Sequence, residues 1–370
     1  MKKKSFYILA LAALAVSCTN DELTTNETNA VVGFHALTSG VTTRAVNETN
    51  SVNLKDSPFD VYAFTETDGK LFIGKSLSES DYKLSQGVEI RHNGSAWDYA
   101  NPADKAYWPT DKKLNFFAFH PQPKDPSEGY SVEVFSASKQ VVRYSVPTNA
   151  KFQKDLMYAI SRGVDKNTNA GKVKILFKHA LSQACFKAKT ERESMRVDVE
   201  DIQIHNIAVD GDLTLPQTGT DISMKDWDTQ EKKHIAFEPK NLETPIMEIG
   251  TEAKELTGKM YLPQELTKWD RETKTIDQAN QEKQSYLSVL CKIKQNGVYL
   301  WGSEEKAWRL FVPFGVKWEP GKRYVYTLIF GGGYKDDGTQ VLDQIKWEVE
   351  EMPWQDAPYD VNADINVNVN

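Results

Sequence analysis

Long apolar runs are scarce in this chain of 370 residues, and the one that opens it, Phe6 to Val16, is too short to cross a bilayer as a helix, which takes about 20 residues. Cysteine is nearly absent: Cys18, Cys185 and Cys291 cannot make a disulfide framework. Cys185 and Cys291 lie in alternating apolar stretches and read as small buried hydrophobes, with a bond between them left open. Clustered cations are missing too. The net charge is −7 with Lys and Arg scattered, which excludes a nucleic-acid partner.

Catalytic and ligand-binding signatures are equally thin. The six histidines (His35, His92, His120, His179, His205, His234) form no pair four residues apart, so no zinc motif arises, and no Gly-x-Ser-x-Gly elbow occurs. Gly331-Gly332-Gly333 lacks the Gly-Lys-Ser/Thr of a phosphate loop and suits a hairpin turn. Asp165-x-Asn167-x-Asn169 imitates the start of a calcium loop, but Ala170 stands where glycine must turn and Leu176 where a bidentate carboxylate is needed. Asp226 and Asp228 beside Trp227, or Glu348, Glu350 and Glu351 near Trp347, read as charged strand edges rather than as a glycosidase pair. The expectation is a protein without enzymatic activity, metal or cofactor.

The ends of the chain are more informative. Lys2, Lys3 and Lys4 precede the short apolar run, the pattern of a cleaved secretory signal over residues 1–17. It closes on Ala15-Val16-Ser17-Cys18, similar to a bacterial lipobox in which Cys18 receives lipid and becomes the first mature residue. Ala15 takes the place of the usual leucine, which stands one position early as Leu14. Asp21 and Glu22 resemble the export tag of lipoproteins carried to the outer face, and residues 19–30 are polar enough for a tether.

Between the ends, 16 Phe, 15 Tyr and 9 Trp sit among Val, Ile and Thr in short runs broken by Gly, Pro, Asn and Asp, which is β composition. Strands are expected at 31–37, 59–64, 70–73, 114–119, 131–135, 140–146 and 156–160. A second series follows at 172–177, 184–189, 202–209, 259–262, 286–293, 308–312, 324–330 and 341–349. Asp68-Gly69 favours a tight hairpin turn between the second and third. The polar loop 165–171 suggests a domain boundary, giving a tether and arm at 18–56, one domain at 57–168 and another at 169–370. Helices should be few and short.

In the last ten residues Val361, Ala363, Ile365, Val367 and Val369 alternate strictly with Asn and Asp. Burying the four branched side chains yields about 6–12 kcal/mol. Fixing ten backbones costs about 10–20 kcal/mol. The tail therefore needs a groove and a hydrogen-bonding ladder, either on its own domain or on another molecule.

Taken in order, the motifs resemble the fimbrillin superfamily, the subunits of lipoprotein-derived type V pili. Val32-Gly-Phe34-His-Ala36 and Thr42-Thr43-Arg44-Ala45 look like its N-terminal arm and processing site, and 59–64 like its first domain strand. Tyr107-Trp108-Pro109 with Leu114-Asn-Phe116-Phe117-Ala118-Phe119-His-Pro121 is the most recognisable block. Asp155-Leu156-Met157-Tyr158-Ala159, Phe177-Lys-His179-Ala180-Leu181-Ser182, Tyr261-Leu262-Pro263-Gln264 and Trp318-Glu-Pro320-Gly321-Lys322-Arg323-Tyr324 follow.

The resemblance implies an all-β protein of two tandem transthyretin-like β-sandwich domains. An arginine-specific protease would cut between Arg44 and Ala45, releasing the arm 31–44 and opening an apolar groove. A neighbouring subunit's strand would fill it, with the tail from Val361 to Val369 as donor. Partners would be other fimbrial subunits, the outer membrane through the lipid, and host or bacterial surface ligands. Alternatives are a fimbrial tip adhesin and a surface glycan-binding lipoprotein that uses exposed Trp and Tyr rings as platforms; a secreted hydrolase ranks last.

Overall fold

Alternation along the chain becomes strand structure wherever one face can be buried. In the strand Tyr286–Gln295, Leu287, Val289, Cys291 and Ile293 are at most 1% exposed, while Lys292 and Lys294 on the other face reach solvent. The computed structural model describes residues 30–38, 49, 53–76, 85–122, 129–147, 152–229, 245–331, 333–334, 340–341 and 345–354. The signal 1–17, Cys18, the Arg44–Ala45 bond and the tail 361–370 lie outside the described residues. What is described is all-β, with a single short α-helix, Ile276–Gln281, started by a Thr275/Gln278 capping box.

The first half closes on itself. An eight-stranded sheet runs in the order Leu71–Ile73, Phe59–Thr65, Val88–His92, Trp97–Tyr99, Gly33–Thr38, Lys172–His179, Met157–Val164 and Leu114–His120. The last strand pairs back onto Phe59–Thr65 from Asp60↔Phe119 to Thr65↔Leu114, making a ring. Phe34, Phe59, Phe116, Val173 and Phe177 belong to the buried cluster that fills the ring. Leu71–Ile73 is the far arm of the expected hairpin, with Gly69 at φ 64 and Thr65 N donating to Lys70 O at 2.9 Å.

A four-stranded sheet, Trp227–Thr229, Asp210–Thr214, Lys139–Ser145 and Tyr130–Ser136, lies against the outside of that ring. Phe135 stacks on Tyr62 at 3.8 Å and meets Phe119 edge-on, so Phe59–Thr65 is buried on both faces. The second half is a sandwich. One sheet carries Lys254–Tyr261, Ser182–Thr190, Lys322–Phe330 and Lys346–Pro353. The other carries Ile246–Ile249, Met195–His205, Tyr286–Gln295 and Val298–Trp301, with Trp308–Pro313 also paired to Tyr286–Gln295. Phe186 and Tyr326 from the first sheet and Val289 from the second share one cluster with Tyr62 and Phe135 of the first half.

Two sequence expectations change. The boundary at 168/169 is displaced, because the strand beyond it, Lys172–His179, returns to the first sheet between Gly33–Thr38 and Met157–Val164. The chain leaves the eight-stranded sheet for the last time at Ala180–Leu181. The strand expected at 202–209 ends at His205 as the last part of Met195–His205, and the next strand, Asp210–Thr214, begins beyond it in a different sheet. Asn206 at φ 59 breaks the extended run between them.

Because Phe34 is 4% exposed and packs edge-on against Tyr99 at 5.4 Å and Phe116 at 6.5 Å, Phe34→Ala should cost the intact protein about 3–5 kcal/mol. Urea unfolding of uncleaved protein measures it.

Candidate functional site: the seat of the first strand

Gly33–Thr38 is an insert in the ring rather than an edge. Val32, Phe34, Ala36 and Thr38 point inward at 5% exposure or less, and the intervening Gly33, His35 and Leu37 are half-buried. Its two edges are held very differently. Along Lys172–His179 it forms a parallel ladder of six register pairs, Gly33↔Lys172 to Thr38↔Phe177. Along Trp97–Tyr99 only Phe34↔Trp97 is in register.

The start of the strand is gripped by the Tyr107-Trp108-Pro109 motif. Val32 N donates to Ala106 O, Trp108 N donates to Ala30 O (2.9 Å each), and Val31 bridges to Tyr107. The Tyr99 hydroxyl donates to Val32 O at 3.0 Å and the Trp108 indole to Gly171 O at 3.0 Å. Burial raises the Tyr99 phenol well above its ordinary value, so it remains a donor. Beneath the strand lie Phe116, Val173 and Ile175, an apolar floor.

A second polar feature sits where the ring meets the sandwich. His179 Nδ1 and Asp155 Oδ1 are 3.0 Å apart and almost wholly buried. The other Asp155 oxygen accepts from Thr49 N at 2.8 Å, and the Trp354 ring stacks on His179 at 4.0 Å and 3°. Two motifs far apart in sequence thus meet at one point, with a backbone group just beyond the arm and the last described residue before the tail. His120 lies nearby with Ser57 Oγ 2.6 Å from its Nε2. Burial pushes its imidazole down to about 4, against a weaker upward pull from Asp155.

Other residues singled out from sequence take plain roles. No disulfide joins Cys185 and Cys291; they are buried thiols on opposite sheets of the sandwich. Asp226 caps a short turn through Ser223, and the Trp227 indole donates to Ala180 O at 3.1 Å. Asp165 accepts from Asn167 N at 2.9 Å in a local turn. Gly333–Tyr334 pairs with Gln340–Val341 as a hairpin. Among the described residues no group of three His, Cys, Asp or Glu is placed to hold a metal, and no helix is long and apolar enough to cross a membrane. Of the tryptophans, Trp97, Trp108, Trp227, Trp318 and Trp354 are buried, whereas Trp269, Trp301, Trp308 and Trp347 keep some exposure, all in the sandwich.

The polar knot was missed from sequence because 24 residues separate its carboxylate from its imidazole and 106 separate Asp155 from Thr49. The only cue was that both Asp155 and His179 stand inside otherwise apolar motifs.

A family model described as fimbrillin-like matches residues 43–352. A fimbrial protein of known structure from Bacteroides vulgatus superposes with a TM-score of 0.58 at 14% identity, covering 88% of this chain and all of that one. A candidate cell-adhesion protein from Bacteroides uniformis gives 0.43 at 16%, covering 88% and 99%. The tip fimbrial protein Mfa3 from Porphyromonas gingivalis, truncated at its C-terminus, gives 0.35 at 9%, covering 87% and 99%. No curated protein matches the chain.

Asp155→Ala should cost about 3 kcal/mol, since it leaves His179 Nδ1 and Thr49 N buried without their acceptor. Urea unfolding reads the loss, and hydrogen exchange should show the Thr49 amide losing protection. The His120 shift predicts a pH dependence. The folded state binds its proton less readily than the unfolded state, so this contribution is complete above about pH 6.5 and is lost as the pH falls towards about 4. The loss is on the order of 3 kcal/mol. His120→Gln should flatten that part of the stability–pH curve relative to the parent.

Proposed function

The chain belongs to the fimbrillin-like family, and on that premise we propose that it is a structural subunit of a cell-surface fimbria. It is exported as a lipoprotein through Cys18, assembles by protease-triggered strand exchange, and contributes to adhesion at the outer face of the outer membrane. The observation that carries this reading is the asymmetric seat of Gly33–Thr38, fully laddered on one edge and nearly free of register pairs on the other.

Cleavage between Arg44 and Ala45 by an arginine-specific protease separates the arm from the domain behind it. The chain downstream stays tethered through the Thr49–Asp155 hydrogen bond, so the arm departs without carrying the domain's first strand, Phe59–Thr65. What it leaves is a slot with backbone partners along Lys172–His179 and an apolar floor. The tail suits that slot by periodicity: Val361, Ala363, Ile365, Val367 and Val369 repeat every second residue, as Val32, Phe34, Ala36 and Thr38 do. Main-chain bonds supply affinity and the inward side chains supply register. A tail of this kind favours a position within the fibre over the tip, where no further subunit waits to accept it.

Trypsin treatment of the soluble chain lacking residues 1–18 should convert monomer to ladders of polymer on mild-detergent gels. Arg44→Ala should stop the conversion. Removing residues 361–370 should also stop it while leaving the circular dichroism and urea midpoint unchanged. Polymer formed by the truncated chain overturns the donor role of the tail.

A further inference from the structure

The four tryptophans that keep exposure gather around one strand, Trp308–Pro313. Trp301 and Trp308 meet edge-on at 5.3 Å at its start. At its other end Val312 and Pro313 line a cleft of about 480 Å3 that Trp269 and Trp347 also line. This cleft is the open side of the sandwich, between the edge strands Trp308–Pro313 and Lys346–Pro353 of its two sheets. Its volume falls within the range of small-ligand sites.

Its chemistry is mixed in a particular way. Trp347 is braced from behind by Phe314 and Tyr326, each at 5.6 Å, and Trp269 is fixed by its indole donating to Lys274 O at 3.0 Å. Gly315 permits the wall to form, because a Cβ there would fall 2.5 Å from that of Lys268. Around the rings stand cations and carboxylates in near balance: Lys268 and Arg271 against Asp270 and Glu272, with Lys346 already paired to Glu191 at 2.8 Å. Lys268 and Arg271 form no ion pair with another described residue. Asp270 is held ionised by the Thr273 hydroxyl at 2.6 Å.

We propose that this cleft binds a neutral oligosaccharide, one pyranose face lying against the indoles and its vicinal hydroxyls donating to Asp270 and Glu272 and accepting from Lys268 and Arg271. Flat apolar rings with a polar rim match a sugar, which has an apolar face and a belt of hydroxyls. The balanced charge gives no advantage to an acidic sugar. An added β-strand fits less well, since Glu348, Glu350 and Glu351 guard the edge Lys346–Pro353. The inference names the ligand class for the adhesive role and rests on that reading.

The test applies the soluble chain 19–370 to an array of neutral oligosaccharides of two to six sugars, with sialyllactose beside lactose as the acidic comparison. At least one neutral glycan should bind saturably, sialyllactose no better than lactose. Arg271→Ala should weaken binding at least fivefold and Trp347→Ala at least tenfold; Trp308→Ala, outside the cleft, should leave it unchanged. Arg271 is exposed, so that variant reports binding even if Trp347→Ala is poorly folded. No saturable neutral glycan, binding indifferent to Arg271→Ala, or displacement of the glycan by a peptide of residues 361–370 overturns the proposal. The same samples are assayed for polymer: a chain that polymerises without binding sinks the cleft alone, and one that binds without polymerising sinks the assembly reading alone.

Discussion

A closed ring of strands has no edges, and here closure depends on a segment from the very start of the described chain. Gly33–Thr38 completes the ring, yet its bonds are concentrated on the side of Lys172–His179. The consequence is a ring that offers no open edge while the segment is present. Once it is gone, the ladder of Lys172–His179 and the aromatic floor around Phe116 are exposed together. Removing the segment would uncover backbone and side-chain recognition together, the condition that the proposed strand exchange needs.

The Asp155–His179 pair gives the structure around this segment a fixed point. A buried polar pair is weak evidence for stability by itself, because desolvation offsets much of the attraction. Its value here is positional: it collects Thr49, the end of the ring at His179 and the end of Lys346–Pro353 at Trp354 in one place. The segment around Thr49 and the end of Lys346–Pro353 at Trp354 are therefore held at a common site.

Period-two alternation made most strands legible, because burying one face requires it: Tyr324, Tyr326, Leu328 and Phe330 are all 4% exposed or less. Strands without that stripe were not legible. Asp210–Thr214 and Trp227–Thr229 are short; the first adds to the edge of Lys139–Ser145 and the second to the edge of Asp210–Thr214. The boundary misplaced at 168 had the same origin, since the parallel pairing of Lys172–His179 with a strand near residue 35 is a non-local contact that leaves no local mark. The candidate site divides likewise. A strand here was readable from Val32, Phe34 and Ala36, whereas the grip of Tyr99 and the joining of Asp155 to His179 depend on tertiary geometry. Tryptophan content alone could not say which rings face solvent, because five are needed inside.

The four-stranded sheet stitches together strands from both sides of the sheet change, pairing Lys139–Ser145 with Asp210–Thr214 over five register positions. In a filament, load enters a subunit at one end and leaves at the other. A chain built as beads on a string would yield by parting between its beads. Here five register pairs span the joint side by side, and parting the two halves would break them together with the aromatic packing beneath. A pull between the halves is then shared among several bonds instead of falling on a single connecting segment.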